Sequence, residues 1–192
     1  MALLLTGTRD HAVLAMVIQE AHKTAKKQKP EGFVGRTAVQ KMMYFLKAIG
    51  VPMDYSFDIY HYGPFCQEIL RDTEWLEADE VIADKSPQRQ EYSDYAPEKA
   101  MDELLKRHSR ALEPYREKVQ ALVQTLIPLR PERLELLATI DYIYRQQLAS
   151  GGHGPWKTSV VSKVWEIKKD KFRQQEVEAT YDAMAEAGLV ER

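Results

Sequence analysis

The stretch GRTAVQKMMYFLKAIG, residues 35–50, is the part of the chain that indicates the class of fold. Its apolar residues recur every three or four positions, at Val39, Met42, Met43, Leu46 and Ile49. This is the spacing of one face of an amphipathic helix. Thr37 and Gln40 have capping-box spacing at its start, and Gly50 is placed to end it. We therefore expect a helix with one buried face.

The residues before this helix predict another. Residues 10–27 carry apolar side chains at helical spacing, and Asp10 is a candidate N-cap. Those apolar residues are Val13, Leu14, Val17, Ile18 and Ala21. The breakers of residues 30–32 separate the two helices.

The residues that follow predict a strand and a third helix. Residues 57–62 alternate and are rich in aromatic side chains, which is typical of a strand. Gly63 and Pro64 are expected to stop this strand. Pro64 then suits the first turn of a helix that runs through Ala78 and buries Phe65, Ile69 and Leu76.

The rest of the chain predicts one small hairpin and a series of helices. Residues 81–83 and 91–95 read as short strands joined by a polar turn at 84–89. Helices are expected at 97–107, 112–126, 131–148, 158–168 and 174–187, with Gly188 as the final stop. The expected class is α+β, mainly α-helical. The order of elements over residues 10–95 resembles a winged-helix core.

A chain of 192 residues is near the size of one domain. We expect residues 1–95 to form a helical core with a small hairpin. Residues 96–192 are expected to form a helical extension packed on it, within one cooperative unit. The loop at 150–155 is the best candidate for an internal boundary, because it holds three glycines and a proline.

Composition favours an ordinary globular protein of the cytoplasm. Hydrophobic residues make up 44% and charged residues 29%, unlike a disordered chain. Residues 1–5 are apolar but lack a basic leader, and no run of about 18 apolar residues is long enough to span a bilayer. One cysteine and five scattered histidines predict no disulfide, metal centre or cofactor.

Catalysis is not expected. His61 and Cys66 are five positions apart, and a histidine can activate a thiolate. A nucleophile also needs an orienting group and oxyanion donors, and no pattern in the sequence supplies them. We interpret Cys66 as a small buried side chain.

Charge is distributed in blocks although the net charge is only −2. Residues 51–106 hold fourteen acidic residues against five basic ones, whereas residues 107–173 hold thirteen basic against seven acidic. An acidic run could bind a divalent cation, but its spacing matches no calcium loop, so we favour a solvated acidic surface. The run comprises Glu74, Glu77, Asp79, Glu80 and Asp84.

A basic cluster is the candidate nucleic-acid surface. It comprises Lys157, Lys163, Lys168, Lys169, Lys171 and Arg173, with Trp165 among them. Its alternative interpretation, which we favour, is a solvated helix end that complements the helix dipole.

The aromatic side chains around Gly63 and Pro64 also allow two interpretations. Tyr60, Tyr62 and Phe65 either pack in the core, which is the interpretation that we favour, or, for at least one of the tyrosines, lie on an exposed patch that a partner protein covers. The protein-binding hypothesis therefore rests on residues 60–65.

Two motifs carry a resemblance to a known family. The helix segment VQKMMYFL at 39–46, followed by YHYGP at 60–64, resembles the Panacea, or SocA-like, domain of bacterial and phage-associated proteins. The resemblance covers about residues 10–95. Uncharacterised bacterial relatives of that family also resemble this chain in the helix at 134–142 and in the closing Gly188-Leu189 pair.

The resemblance implies a function by binding. Panacea proteins are mainly known as antitoxins that neutralise protein toxins, and some relatives act as adaptors for proteolysis. The implied function is a non-enzymatic module whose partner is another protein, such as a toxin or a protease. The alternative is a winged-helix transcriptional regulator that binds DNA.

Overall fold

The computed structural model describes residues 5–28, 32–87 and 92–191. The protein is α+β and mainly α-helical, with two small two-stranded sheets, which confirms the predicted class. The chain divides into two compact units. The first unit is Met1–Asp58 with Phe65–Pro131, and the second is Ile59–Pro64 with Glu132–Arg192.

The helices and short strands follow one another along the chain. In order they are α1 (Arg9–Gln28), α2 (Arg36–Ala48), β1 (Asp58–Tyr60), β2 (Gly63–Phe65), α3 (Gln67–Ala78), β3 (Ile82–Asp84), β4 (Tyr95–Pro97), α4 (Met101–Arg107), α5 (Ser109–Leu112), a 3-10 turn (Glu113–Tyr115), α6 (Arg116–Leu126), α7 (Pro131–Ala149), α8 (Trp156–Lys168) and α9 (Gln174–Glu186). The second unit consists mainly of α7, α8 and α9 together with most of the β1–β2 hairpin.

Helix α1 is the centre of the first unit. It contacts α2, α3, α4, α5, α6 and β4, so residues 11–18 are buried on every side. The predicted apolar face is confirmed, but the predicted cap is wrong. The Oγ1 of Thr8 accepts the backbone N–H of His11 at 3.1 Å, while Asp10 lies in the first turn and accepts the N–H of Asp54 at 2.7 Å.

Helix α2 begins and ends close to the predicted positions. Gly50 has φ of 89° and follows the last turn, as predicted. The capping box is wrong, because Gly35 is the N-cap and no side chain caps the helix. The Gln40 amide instead donates to the Cys66 carbonyl at 2.9 Å and accepts the Cys66 N–H at 3.0 Å.

The predicted hairpin is present with a different second strand. β3 pairs antiparallel with β4, and Ala83 lies opposite Ala96. The Asp84 carboxylate accepts the N–H groups of Ser86 and Asp94, both at 2.9 Å. Burial alone would raise the pKa of Asp84, but these hydrogen bonds lower it below its usual value. Residues 88–91, within the predicted turn and strand, lie outside the described residues, as do residues 1–4 of the apolar start and residues 30 and 31 of the first breaker.

The later helices follow the predictions with two corrections. The helix expected from residue 97 begins at Met101, because Pro97 belongs to β4. The helix expected at 112–126 is divided by the 3-10 turn that contains Pro114, whose ring lacks an N–H to continue α5. α7, α8 and α9 pack around one apolar cluster that includes Trp156 and Tyr181.

The division into units differs from the predicted one at residue 95. Residues 96–131 belong to the first unit, and the loop at 150–155 lies inside the second. The winged-helix core and the single cooperative unit stay predictions.

Candidate functional site

The second sheet is a tight hairpin formed by β1 and β2. Only two residues, His61 and Tyr62, connect the two strands. Because a connection this short cannot join parallel strands, β1 and β2 are antiparallel. Gly63 and Pro64 lie within β2, so the prediction that they stop the strand and open a helix is wrong. α3 starts at Gln67 instead. Gly63 has φ of 82°, which lets the chain reverse where we expected it to end a strand.

Gly63 also lies against helix α7. A Cβ at this position would be 2.7 Å from Thr139 Oγ1 and 3.3 Å from the backbone oxygen of Glu135. Both Gly63 and Pro64 are buried, and Ile59 packs against the apolar cluster of the second unit. Only glycine allows the backbone to approach α7 this closely.

A buried ammonium group fastens the hairpin tip, residues 60–63, to α7 and α8. Lys168 Nζ donates to the carbonyl of His61 at 2.5 Å and lies 3.4 Å from that of Tyr60. It pairs with Glu135 Oε1 at 2.9 Å, and the two side chains are only 4% and 1% exposed. Lys171 Nζ pairs with the other Glu135 oxygen at 2.5 Å. Glu135 thus compensates two cations.

The tip turns its aromatic rings outward. Tyr60 is 61% exposed and Tyr62 is 63% exposed. The His61 ring lies edge-on to Tyr60 at 4.8 Å, and Lys171 Nζ is 5.1 Å from the centroid of Tyr62. The core interpretation is therefore wrong for both tyrosines. Phe65 is half-buried and belongs to the first unit, so the structure brings together only residues 60–64 of the predicted set.

The predicted basic cluster is divided by ion pairs. Lys168 is buried and Lys171 is paired, so neither matches a phosphate-facing residue. Lys157 pairs with Asp182 at 2.7 Å, and Lys163 pairs with Glu166 at 3.0 Å. Lys169 and Arg173 are exposed, and neither has an ion-pair partner among residues 5–28, 32–87 and 92–191.

Glu135 is the site residue that the sequence analysis missed. It lies in the otherwise apolar run LELLA at 134–138 and is almost wholly buried. A lone carboxylate within a buried helical face signals a paired charge, because an unpaired one is too costly to bury. That signal was available, but its partners lie 33 and 36 residues away.

The first unit contains a separate buried polar cluster. His11 Nε2 lies 3.4 Å from Asp72 Oδ2, and the Tyr55 hydroxyl donates to the same oxygen at 2.8 Å. His11 Nδ1 accepts the N–H of Gly7 at 3.1 Å. Burial, with the hydrogen bond to Asp72, raises the pKa of Tyr55. Because both ring nitrogens of His11 are engaged, we assign this cluster to the packing of the segment before α1.

Cys66 is buried, as predicted. Its Sγ donates to Glu68 Oε2 at 3.1 Å. Burial, with this hydrogen bond, raises the pKa of the thiol to about 11. The side chain is thus a protonated thiol at neutral pH, which is a weak nucleophile.

The acidic run is less solvated than predicted. Asp79 Oδ2 accepts the backbone N–H of Thr6 at 2.7 Å, and Glu77 Oε1 accepts that of Asp84 at 2.8 Å. Asp84 is itself buried. These carboxylates satisfy backbone donors of the first unit, and the described part of the chain has no group of three side chains suited to hold a metal ion.

Comparison with protein families gives no match, and no curated protein matches the sequence. None of the helices among the described residues has the length and apolar character needed to cross a membrane.

Proposed function

We propose that this chain is a non-enzymatic protein-binding module, antitoxin-like or adaptor-like, whose docking surface is the hairpin tip. One observation carries the proposal: Tyr60 and Tyr62 flank His61 on the tip and are more than 60% exposed, and the Lys168–Glu135 ion pair holds the backbone of the tip in place. Exposed aromatic side chains are a common feature of interface hot spots.

The fixed backbone is what makes these tyrosines suitable for binding. Ordering a mobile loop lowers affinity, since its conformational entropy is lost on association. At this tip, Lys168 and Gly63 already restrict the chain before a partner arrives. Each tyrosine has only two side-chain torsions to fix, so most of the gain from burying its ring is retained.

The class of partner follows from the Panacea resemblance. A toxin would be neutralised by a complex that covers its active surface, and a protease would receive a substrate through an adaptor. Either role needs one stable contact surface and no catalytic group. The raised pKa of Cys66 agrees with a chain that acts by binding.

A DNA-binding regulator is the alternative, and it has less support. The order of helices and hairpins over residues 10–95 favours it. Four of its six candidate phosphate contacts are occupied by carboxylates of the chain itself, which leaves Lys169 and Arg173. Two exposed cations are few for a DNA-binding surface.

The test is affinity capture from lysate of the source cell, followed by identification of the recovered proteins. Wild type is compared with a Tyr60→Ala, Tyr62→Ala double variant and with Tyr92→Ala, a matched loss of an exposed tyrosine in the first unit. We expect wild type and Tyr92→Ala to recover a protein that the double variant loses. Equal recovery by all three, or no specific recovery, contradicts the proposal.

A further inference from the structure

The surface beside the hairpin tip is positively charged. Lys168 and Lys171 share the single carboxylate of Glu135, which leaves an excess cation at the base of the tip. Lys171 is the more exposed member of the pair at 37%. Lys169 and Arg173 add exposed cations, and Asp170 is the only acidic residue between them in the sequence.

Lys168 and Lys171 connect this charge to the hairpin tip. Lys171 Nζ lies 5.1 Å from the Tyr62 ring, and Lys168 contacts the tip backbone directly. Lys169 follows Lys168 in the chain, and Arg173 is two residues after Lys171. The Tyr62 ring is thus bordered by one basic side chain, and two further exposed cations lie within two residues of Lys168 and Lys171 in the chain. An aromatic centre with a polar rim is the usual arrangement of an interface.

From this juxtaposition we infer that the tip binds an acidic peptide segment of its partner, with an apolar or aromatic side chain placed on Tyr60 and Tyr62. The inference rests on the proposed function and adds the chemistry of the partner. Asp or Glu side chains of the segment face Lys169 and Arg173. Charge complementarity at an exposed rim mainly sets association rate and specificity, so the effect depends on ionic strength.

Single-stranded nucleic acid combines the same two features, because bases stack on aromatic rings and phosphates pair with cations. A peptide is favoured here. Lys169 and Arg173 are only two exposed cations, with Asp170 beside them, whereas a phosphodiester chain carries a charge at every nucleotide.

The test uses the full chain and a random-peptide library displayed on phage, selected at low salt. Peptides that depend on the tip are those that bind wild type and fail to bind the Tyr60→Ala, Tyr62→Ala variant. Their affinities are then measured for Lys169→Glu, Arg173→Glu. The matched control is Lys106→Glu, Lys118→Glu, which makes the same change in net charge at exposed lysines of the first unit.

Tip-dependent peptides are expected to be rich in Asp and Glu. Charge reversal at 169 and 173 should weaken them by about three- to tenfold, the control reversal by less than about twofold, and the difference should shrink with added salt. Tip-dependent peptides that are neutral or basic, or acidic ones indifferent to the reversal, overturn this inference and leave the proposed function standing. Absence of any tip-dependent peptide overturns both the inference and the proposed function. This includes the case where oligo-dT, a probe for single-stranded nucleic acid, binds the tip instead.

Discussion

At the scale of single residues, Gly63 holds the hairpin tip by having no side chain. Its φ of 82° is strained for any other residue. An added Cβ would also lie only 2.7 Å from Thr139 Oγ1, which is a steric clash. We expect Gly63→Ala to lower the free energy of unfolding by about 2–4 kcal/mol. Denaturant unfolding followed by circular dichroism measures this loss.

Gly188→Ala is the matched control for that variant. Gly188 has φ of 71° in the same unit, but a Cβ there meets nothing within 4 Å. Its loss should be about 1 kcal/mol, from backbone conformation alone. Equal losses for the two variants would show that the contact with α7 contributes nothing.

Cys66 provides a prediction about pH. The thiolate is the reactive form, and the pKa of this thiol is raised to about 11. Alkylation of the folded protein by iodoacetamide should therefore stay slow at about pH 8.5, where an ordinary cysteine is half ionised, and should accelerate only as pH approaches about 11. The same chain in denaturant serves as control, since its thiol titrates normally. Rapid alkylation of folded protein at the lower pH would refute this assignment.

The sequence indicates which residues are buried better than it indicates their polar partners. Apolar spacing correctly placed Val13, Leu14 and Val17 in the core, although residues 11–18 of α1 are buried on every side and not on one face alone. The sequence predicted Asp10 as the N-cap of α1, whereas Thr8 is the residue that caps it. Several neighbouring side chains can accept the same N–H, so the sequence does not distinguish them. The pair between Glu135 and Lys168 depends on the fold of the whole unit.

At the scale of elements, Lys168 is the link between α8 and the β1–β2 hairpin. Lys168→Met keeps an unbranched side chain that is one atom shorter, and it removes the charge. It leaves Glu135 with one cation and the His61 carbonyl without its donor. We expect a loss of about 2–4 kcal/mol and faster hydrogen exchange at residues 60–63, because a buried charge loses a partner.

Lys163→Met on the same helix is the control. Lys163 forms an exposed pair with Glu166, so its loss should be below about 1 kcal/mol with no change in exchange at the tip. A Lys168→Met protein with unaltered exchange at residues 60–63 would remove Lys168 from any role in positioning the tyrosines.

Helices were predicted more accurately than the hairpin for a physical reason. A helix of the length of α7 repeats its pattern over several turns, so one misread residue changes little. The β1 and β2 strands have three residues each, and the Gly63-Pro64 pair usually ends a strand. What keeps it within β2 here is the approach to α7, which is distant in the sequence.

At the scale of the whole molecule, the two units raise a question of cooperativity. The chain passes between them three times, after residues 58, 64 and 131. A segment of the second unit, residues 59–64, interrupts the sequence of the first unit. We therefore expect both units to unfold in one transition. Trp75 reports on the first unit and Trp156 on the second, so variants that retain only one of them as their single tryptophan test this by fluorescence. Separate midpoints would contradict a single cooperative unit.

The fold class could be predicted from the sequence, but the division into units could not. The class depends on the periodicity of each segment, which is local. The division depends on residues 59–64, which are too few to show a pattern of their own. A boundary predicted from composition or from loop signals therefore falls near residue 95 or 150. The two units do not divide at either position.

The placement of residues 59–64 also determines how this protein can be taken apart. A fragment that starts at residue 132 lacks residues 59–64, which Lys168 binds and which approach α7 at Gly63. Truncation at residue 132 therefore removes part of the core of the second unit rather than a linker. A synthetic peptide spanning the missing hairpin should restore it in trans. Association of the peptide with the fragment could then be measured directly. Tyr60 and Tyr62 would be carried by the peptide.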